Sequence, residues 1–215
     1  MKMAMNLDTD RKYIFIAGCG RSGTTLMRRL MKCFDDTYVY DEHEKPFTFF
    51  AELTVPQRVL VVKRTAGCWS SLYALPKQIE LIYCVRHPFD TLTSKLSPNK
   101  EGYHIEPERW LSEFHGLERL EQSQPEREII FVRYEDLVAA PDRVQQEIAS
   151  AYALSIRYHF SKNPHNPKGI YNRSIRKWET MPEVREYLKN TVKMFLPELS
   201  AFCKRFRYES PDDMF

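Results

Sequence analysis

Three groups of residues in this chain have the types and spacing to handle a strongly anionic ligand. The first is the run GCGRSGTT from Gly18 to Thr25. Glycines at 18, 20 and 23 let the backbone turn tightly, so that successive N–H groups and the positive end of a following helix converge on one anion. The Gly18 to Gly23 spacing fits the first half of the phosphate-loop pattern G-x-x-x-x-G-K-[ST], but the lysine position holds Thr24, followed by Thr25. A cation stands three residues earlier instead, at Arg21, inside the loop. From there it would lie across the end of a bound phosphate chain.

The second group consists of cations placed directly after apolar runs: Lys63 and Arg64 after RVLVV, Arg86 after IELIYCV, and Arg133 after IIFV. Arg64 fits a surface charge equally well. Arg86 is followed eight residues later by Ser94, and a guanidinium fork with a nearby hydroxyl suits a phosphate. A salt bridge from Arg86 to Asp90 is the plainer alternative, but it leaves Ser94 unexplained. The third group is the cluster Asp41, Glu42, His43, Glu44 and Lys45 ahead of Pro46. A charge run is by default a solvated loop. This one leaves the end of an apolar strand, where catalytic groups gather in nucleotide-binding sheets. Glu42 is the carboxylate we choose as general base, a role contributing about 10²–10⁴-fold, with His43 in reserve.

The elements that must position these groups follow from periodicity. Ile14 to Ala17 form a continuous apolar run, and Leu26, Met27, Leu30, Met31 and Phe34 recur at helical spacing, so strand, loop and helix follow in order. Further strands are predicted over Thr37–Tyr40, Arg58–Val62, Ile79–Val85 and Ile129–Val132. Between them lie a packing helix carrying Trp69, Leu72, Tyr73 and Leu75, a helix opened by Pro88, and a stripe of Trp110, Leu111, Phe114, Leu117 and Leu120 within 106–122. Another helix begins near Pro141, and one or two more span Glu183 to Phe206. Residues 161–177 are rich in proline, asparagine and basic side chains and read as an irregular loop. Alternating strands and helices predict an α/β fold: a three-layer α/β/α P-loop-like domain, with a five-stranded, mainly parallel sheet and right-handed crossovers. Ligands of such sheets bind beyond the carboxyl ends of the strands.

Composition bounds the rest. With 215 residues, 43% of them hydrophobic, and no Gly/Ser/Pro-rich linker, the expectation is a single domain over 1–215, the first twelve residues being a flexible tail. A formal charge of +3 is too small to imply nucleic-acid binding. Five cysteines, odd in number and without a C-x-x-C pair, read as reduced thiols with no metal site. Neither a signal-like apolar stretch nor a membrane-length run is present, so a cytoplasmic protein without a transmembrane segment is expected. Oligomeric state is not encoded in any feature of the sequence.

The loop GCGRSGTTLMRRLM resembles the phosphosulfate loop of sulfotransferases, particularly the tyrosylprotein and Golgi type, which carry RSGTT where cytosolic members carry KSGTT. The resemblance implies 3′-phosphoadenosine 5′-phosphosulfate as cofactor, with adenosine 3′,5′-bisphosphate as its product. It assigns the 5′-phosphate to Gly20, Ser22, Gly23, Thr24 and Thr25, and places Arg21 near the transferred sulfonate. VRHPFDTLTS resembles the segment that grips the 3′-phosphate, through Arg86 and Ser94, and Lys63 resembles the lysine that stabilises the breaking phosphate–sulfate bridge. Glu42 stands twenty-one positions after Arg21, the offset of the catalytic glutamate in the tyrosylprotein enzymes. Within RYEDL, Tyr134 corresponds to a tyrosine at the adenosine end. Arg173, Ser174, Arg176, Lys177 and Trp178 resemble the late segment that closes over the nucleotide, here without its glycine.

Together these readings predict sulfonate transfer to an acceptor hydroxyl, or an amine, without a metal. The acceptor itself, whether small molecule, sugar, lipid or peptide, is not legible. A P-loop kinase or NTPase is the alternative, and a nucleotide sensor that lost turnover is a third. Thr24 in the lysine position argues against the kinase, as do cations where a Walker-B strand should end in aspartate.

Overall fold

β1, Lys12–Gly18, is apolar on both faces, which suits the middle of a sheet covered on both sides. Tyr13, Phe15 and Ala17 enter one core, and Ile14 and Ile16 enter the other. The protein is seen in a computed structural model that describes residues 5, 7–64, 68–95, 102–166, 169–172 and 175–211. Within them β2 (Thr37–Val39), β3 (Val59–Lys63), β4 (Ile79–Val85) and β5 (Ile129–Arg133) join β1 in a five-stranded sheet of order β2-β3-β1-β4-β5. Every pairing is parallel, and the register sets Ile16 beside Lys63 and Gly18 beside Cys84.

Helices cover both faces. In chain order they are α1 (Thr24–Leu30), α2 (Pro88–Leu92), α3 (Pro107–Ser123), α4 (Tyr134–Ala139), α5 (Pro141–Ala151), α6 (Pro182–Val192) and α7 (Leu196–Phe206). Met27 and Leu30 of α1, Leu137 of α4, and Val144 and Ile148 of α5 pack on the Ile14/Ile16 face. Residues of α2, α3, α6 and α7, among them Phe89, Trp110, Leu188 and Phe202, pack on the opposite face. Burying each such side chain contributes about 1.5–3 kcal/mol. The three-layer architecture is therefore the one the strand and helix patterns predict. Among the described residues no helix is long and apolar enough to cross a membrane.

Local departures have local causes. The first helix stops at Leu30, and a 3-10 turn over Met31–Cys33 leads into extended Phe34, so the last residues of its stripe are buried from a turn. The expected packing helix is a 3-10 helix, Cys68–Ala74, with Pro76 close behind to prevent continuation. RYEDL, directly after β5, winds into α4, a helix not among those expected. At the amino end, Lys12 of the expected tail already belongs to β1, and Met5 and Leu7 pack partly buried against the core.

The residue after β3 is the largest surprise. Arg64 is 6% exposed and donates from Nη2 to the Gly18 carbonyl at 2.6 Å and to Glu113 Oε1 at 2.7 Å. Glu113 comes from α3, in step with Trp110 and Leu117, and is 1% exposed. Burial pushes its carboxyl up, and the guanidinium pulls it back. This pair ties β3, the start of the loop and α3 together beneath the carboxyl edge of the sheet. Removing one partner strands a buried charge, so Arg64→Ala should lower stability by about 3–5 kcal/mol in urea denaturation. A loss below about 1 kcal/mol would deny the pair this role.

Candidate active site

The carboxyl ends of β1, β3 and β4 deliver the loop, Lys63 and Arg86 to one edge. The loop itself is fastened from below. Gly18 has φ 133°, and a Cβ there would collide with the Cys84 carbonyl oxygen of β4. Ser22, 2% exposed, sets Oγ 2.5 Å from the Cys19 carbonyl and 3.1 Å from that of Cys84. Its hydroxyl therefore locks the loop to the sheet, and it faces inward instead of lining the cleft. Cys19 is a buried spacer, its thiol pushed up by burial. Gly20 faces Arg109 of α3: a Cβ there would meet Nη2 at 3.2 Å, which brings a further guanidinium to the loop.

Above the loop, Gly23 opens α1 with φ 95°. The ring of Tyr134 covers it so closely that a Cβ would stand 2.8 Å from Tyr134 Cδ2. Thr24 is buried and Thr25 exposed at the first two positions of the helix. The Arg86 guanidinium lies over the same Tyr134 ring, 4.6 Å from its centroid, and donates from Nη1 to the Arg21 carbonyl at 3.0 Å. Arg21, itself at φ 70°, donates from Nε to Ser94 Oγ at 2.8 Å. The loop cation and the Arg86/Ser94 pair, seventy-three residues apart in sequence at their widest, thus meet directly.

These three residues line a cleft of about 460 Å³ whose walls also carry Lys177, Asp90 and Met181. Burial lowers the Arg21 pKa, and the neighbouring Arg86 charge lowers it further. Guanidinium groups crowded in this way have their charge relieved by an anion, and the cleft is wide enough for a nucleotide-sized one. The residues present therefore fit a phosphorylated adenosine.

Lys63 approaches the same edge. It is 5% exposed, and its Nζ pairs with Glu44 of the acidic cluster. Burial holds the ammonium below the ordinary lysine range. The Lys45 amide bonds the Lys63 carbonyl at 3.0 Å, which brings the segment after β2 onto β3. Glu42 is exposed and accepts from Tyr40 Oη at 3.4 Å, and His43 is exposed. Neither candidate base touches Lys63.

In the late segment, Arg173 and Ser174 lie outside the described residues. Lys177 reaches the cleft. Arg176 instead turns its guanidinium to Glu179, at 2.5 Å, and to Glu209. Trp178 is 3% exposed, stacked on His87 with centroids 5.5 Å apart and edge-on to Phe89. Those two side chains anchor the turn, which leaves Lys177 as its ligand-facing group. Of what the sequence reading missed, Glu113 had a visible signal, a charge in register with an apolar stripe. Arg109 and Glu44 had none beyond charge.

Comparison with known proteins comes down to structure. No family model matches the chain, and no curated protein does. Among solved structures, it is similar to the sulfotransferase domain of the Synechococcus PCC 7002 olefin synthase, at 17% identity and a TM-score of 0.67, covering 95% of this chain and 98% of that one. The sulfotransferase domain of the curacin biosynthetic pathway gives 17% identity, a TM-score of 0.64 and coverage of 94% and 99%. Mouse sulfotransferase SULT7A1, solved with PAP, gives 15% identity, a TM-score of 0.52 and coverage of 90% and 87%. At such identities the likeness establishes the fold, and the site must argue its own chemistry.

The contact between Gly23 and Tyr134 yields a direct check. Gly23→Ala combines a disfavoured φ with a steric clash, so it should cost about 1–3 kcal/mol in thermal or chemical unfolding. Tyr134→Ala in the same background should recover part of that loss by removing the clash. No recovery would mean that the ring does not limit the position.

Proposed function

From the sulfotransferase fold and the basic cleft at its carboxyl edge, we propose that this chain transfers a sulfonate group from 3′-phosphoadenosine 5′-phosphosulfate to an acceptor hydroxyl. The observation that carries the reading is the convergence of Arg21, Arg86, Ser94 and Lys177, from four separate segments, on one cleft. Backbone amides of the loop, with Thr24 and Thr25, would hold the 5′-phosphate at the start of α1. Arg86, Ser94 and Lys177 would hold the 3′-phosphate, with Tyr134 beside the nucleoside. When bound, the donor supplies a sulfonate whose bond to the phosphate oxygen breaks as the acceptor oxygen attacks.

The chain's part is positioning and charge compensation, as in phosphoryl transfer. Arg21 stabilises charge at the sulfonate. Lys63, now paired with Glu44, would turn to the bridging oxygen and compensate charge there. Glu42, exposed at the end of β2 and in contact with Tyr40, takes the acceptor proton. His43 stands next to it as the other group able to do so. Side-chain cations fill the place that a metal holds in kinases, and the ends of β3, β4 and β5 supply Lys63, Arg86 and Arg133 where a kinase would need aspartate. A cytoplasmic setting is part of this reading, supported by Cys19, Cys33, Cys84 and Cys203, which are buried free thiols.

Adenosine 3′,5′-bisphosphate should raise the melting temperature equally with and without magnesium, while ATP should not. Stabilisation by ATP that depends on magnesium would reverse the assignment. Glu42→Gln should lower turnover, measured as sulfonate added to acceptors by mass spectrometry, by about 10²–10⁴-fold with bisphosphate affinity unchanged. Near-normal turnover would move the role to His43.

A further inference from the structure

Asp90 lies in the first turn of α2, four residues after Arg86, and is 3% exposed. Its Oδ2 accepts from the Arg176 amide at 2.9 Å, across eighty-six residues of sequence. Oδ1 is buried and meets no hydrogen-bond donor. Asp90 is therefore a carboxylate inside the protein whose side chain is bonded by the backbone of the late turn. That turn is unusual in itself. Arg176 adopts φ 57°, and its guanidinium is held by Glu179 and Glu209. Trp178 then packs against His87 and Phe89, which precede Asp90 at the start of α2. Backbone, aromatic and ionic contacts all press the turn onto the start of one short helix, and Lys177 is the side chain they leave over the cleft.

We propose that Asp90 is a positioning residue for the donor: it holds the 176–179 turn on α2 and so sets Lys177 opposite Arg21, Arg86 and Ser94. The inference rests on the donor reading above. Asp90 also lines the cleft and feels the Arg86 charge, but its side-chain hydrogen bond is to the turn.

The charge of Asp90 gives this contact a direction in pH. Burial is the main cause that pushes its carboxyl up, to about 6; Glu135 of α4 pushes the same way, while Arg86 and the Arg176 and Lys177 amides pull back. His87, next in sequence to Arg86, is held neutral by burial, its pKa lowered to about 3. Lys95 and Glu183 line the far side of the cleft. A carboxyl raised in the closed form favours closure when it is protonated. The closed turn is therefore most stable below the ordinary aspartate range and loses stability as pH rises through about 6. Opening wets the carboxylate and relieves that cost, so ionisation loosens the turn at neutral pH.

The test is hydrogen exchange of the amides in 175–179 of the full chain, corrected for intrinsic rate, alongside calorimetric binding of adenosine 3′,5′-bisphosphate. In the wild type the opening of these amides should increase about tenfold between pH 5 and 8, one pKa unit being a factor of ten. Asp90→Asn keeps the acceptor oxygen without the charge: its turn should stay protected across the range, and its bisphosphate affinity at pH 8 should match or exceed wild type. Asp90→Ala should open the turn at every pH and weaken the bisphosphate about tenfold. Exchange in Asp90→Asn as fast as in Asp90→Ala, or a wild-type turn indifferent to pH, would overturn the proposal. If the wild type fails to bind the bisphosphate while the exchange pattern holds, the turn contact survives and the donor reading falls.

Discussion

The site depends on how closely the loop after β1 approaches β4. Gly18 leaves no room for a side chain against the Cys84 carbonyl, and the Ser22 hydroxyl reaches both Cys84 and the loop's own Cys19 carbonyl. Once the loop is pinned there, its amides and the start of α1 point over the sheet edge, toward the end where β4 delivers Arg86. The Arg64–Glu113 pair secures the same junction from the other side, since Arg64 also bonds the Gly18 carbonyl. A buried pair of this kind adds little net stability over apolar packing, but it penalises arrangements that leave either charge alone. Here that penalty fixes the loop relative to β3 and α3.

Pinning has an electrostatic consequence. It brings the Arg21 and Arg86 charges into one cleft, and the pKa of Arg21 is lowered by burial and by Arg86. The side-chain contact that holds Arg21 is with a neutral group, its Nε donating to the Ser94 hydroxyl, while its backbone carbonyl accepts from the Arg86 guanidinium. Lys63 differs, because Glu44 compensates its charge directly. An arriving anion would therefore displace a hydroxyl from Arg21 but a carboxylate from Lys63. The first exchange is the easier one, since no ion pair is broken.

Most of the architecture could be read from the chain because it depends on local pattern. Continuous apolar runs mark strands buried on both faces, and glycine spacing with a cation at each strand end marks the edge where ligands bind. Arg86 with Ser94 was legible for the same reason, since one strand and one short helix carry both. What escaped were long-range partnerships. Arg64 looked like half of a surface pair, because nothing near it in sequence announces Glu113. Ser22 looked like a ligand group, because its inward turn depends on a carbonyl sixty-two residues away. Arg176 and Trp178 looked like nucleotide contacts, because Glu209 and the His87 ring, which help to occupy them, come from other elements. Local chemistry identifies which side chains can meet an anion, and tertiary packing decides which are left to do so.

That distinction bears on the acidic cluster after β2. Asp41 is paired with Lys32 of the turn after α1, and Glu44 with Lys63, so two of its three carboxylates neutralise nearby ammonium groups. Burial and pairing act oppositely on Lys63: burial, the larger effect, lowers its pKa, and the Glu44 carboxylate pulls it back up. Glu42, between them in sequence, instead accepts from the Tyr40 hydroxyl at 3.4 Å. The ion pairs on either side thus commit Asp41 and Glu44 to neighbouring ammonium groups, and Glu42 differs from both in meeting a hydroxyl.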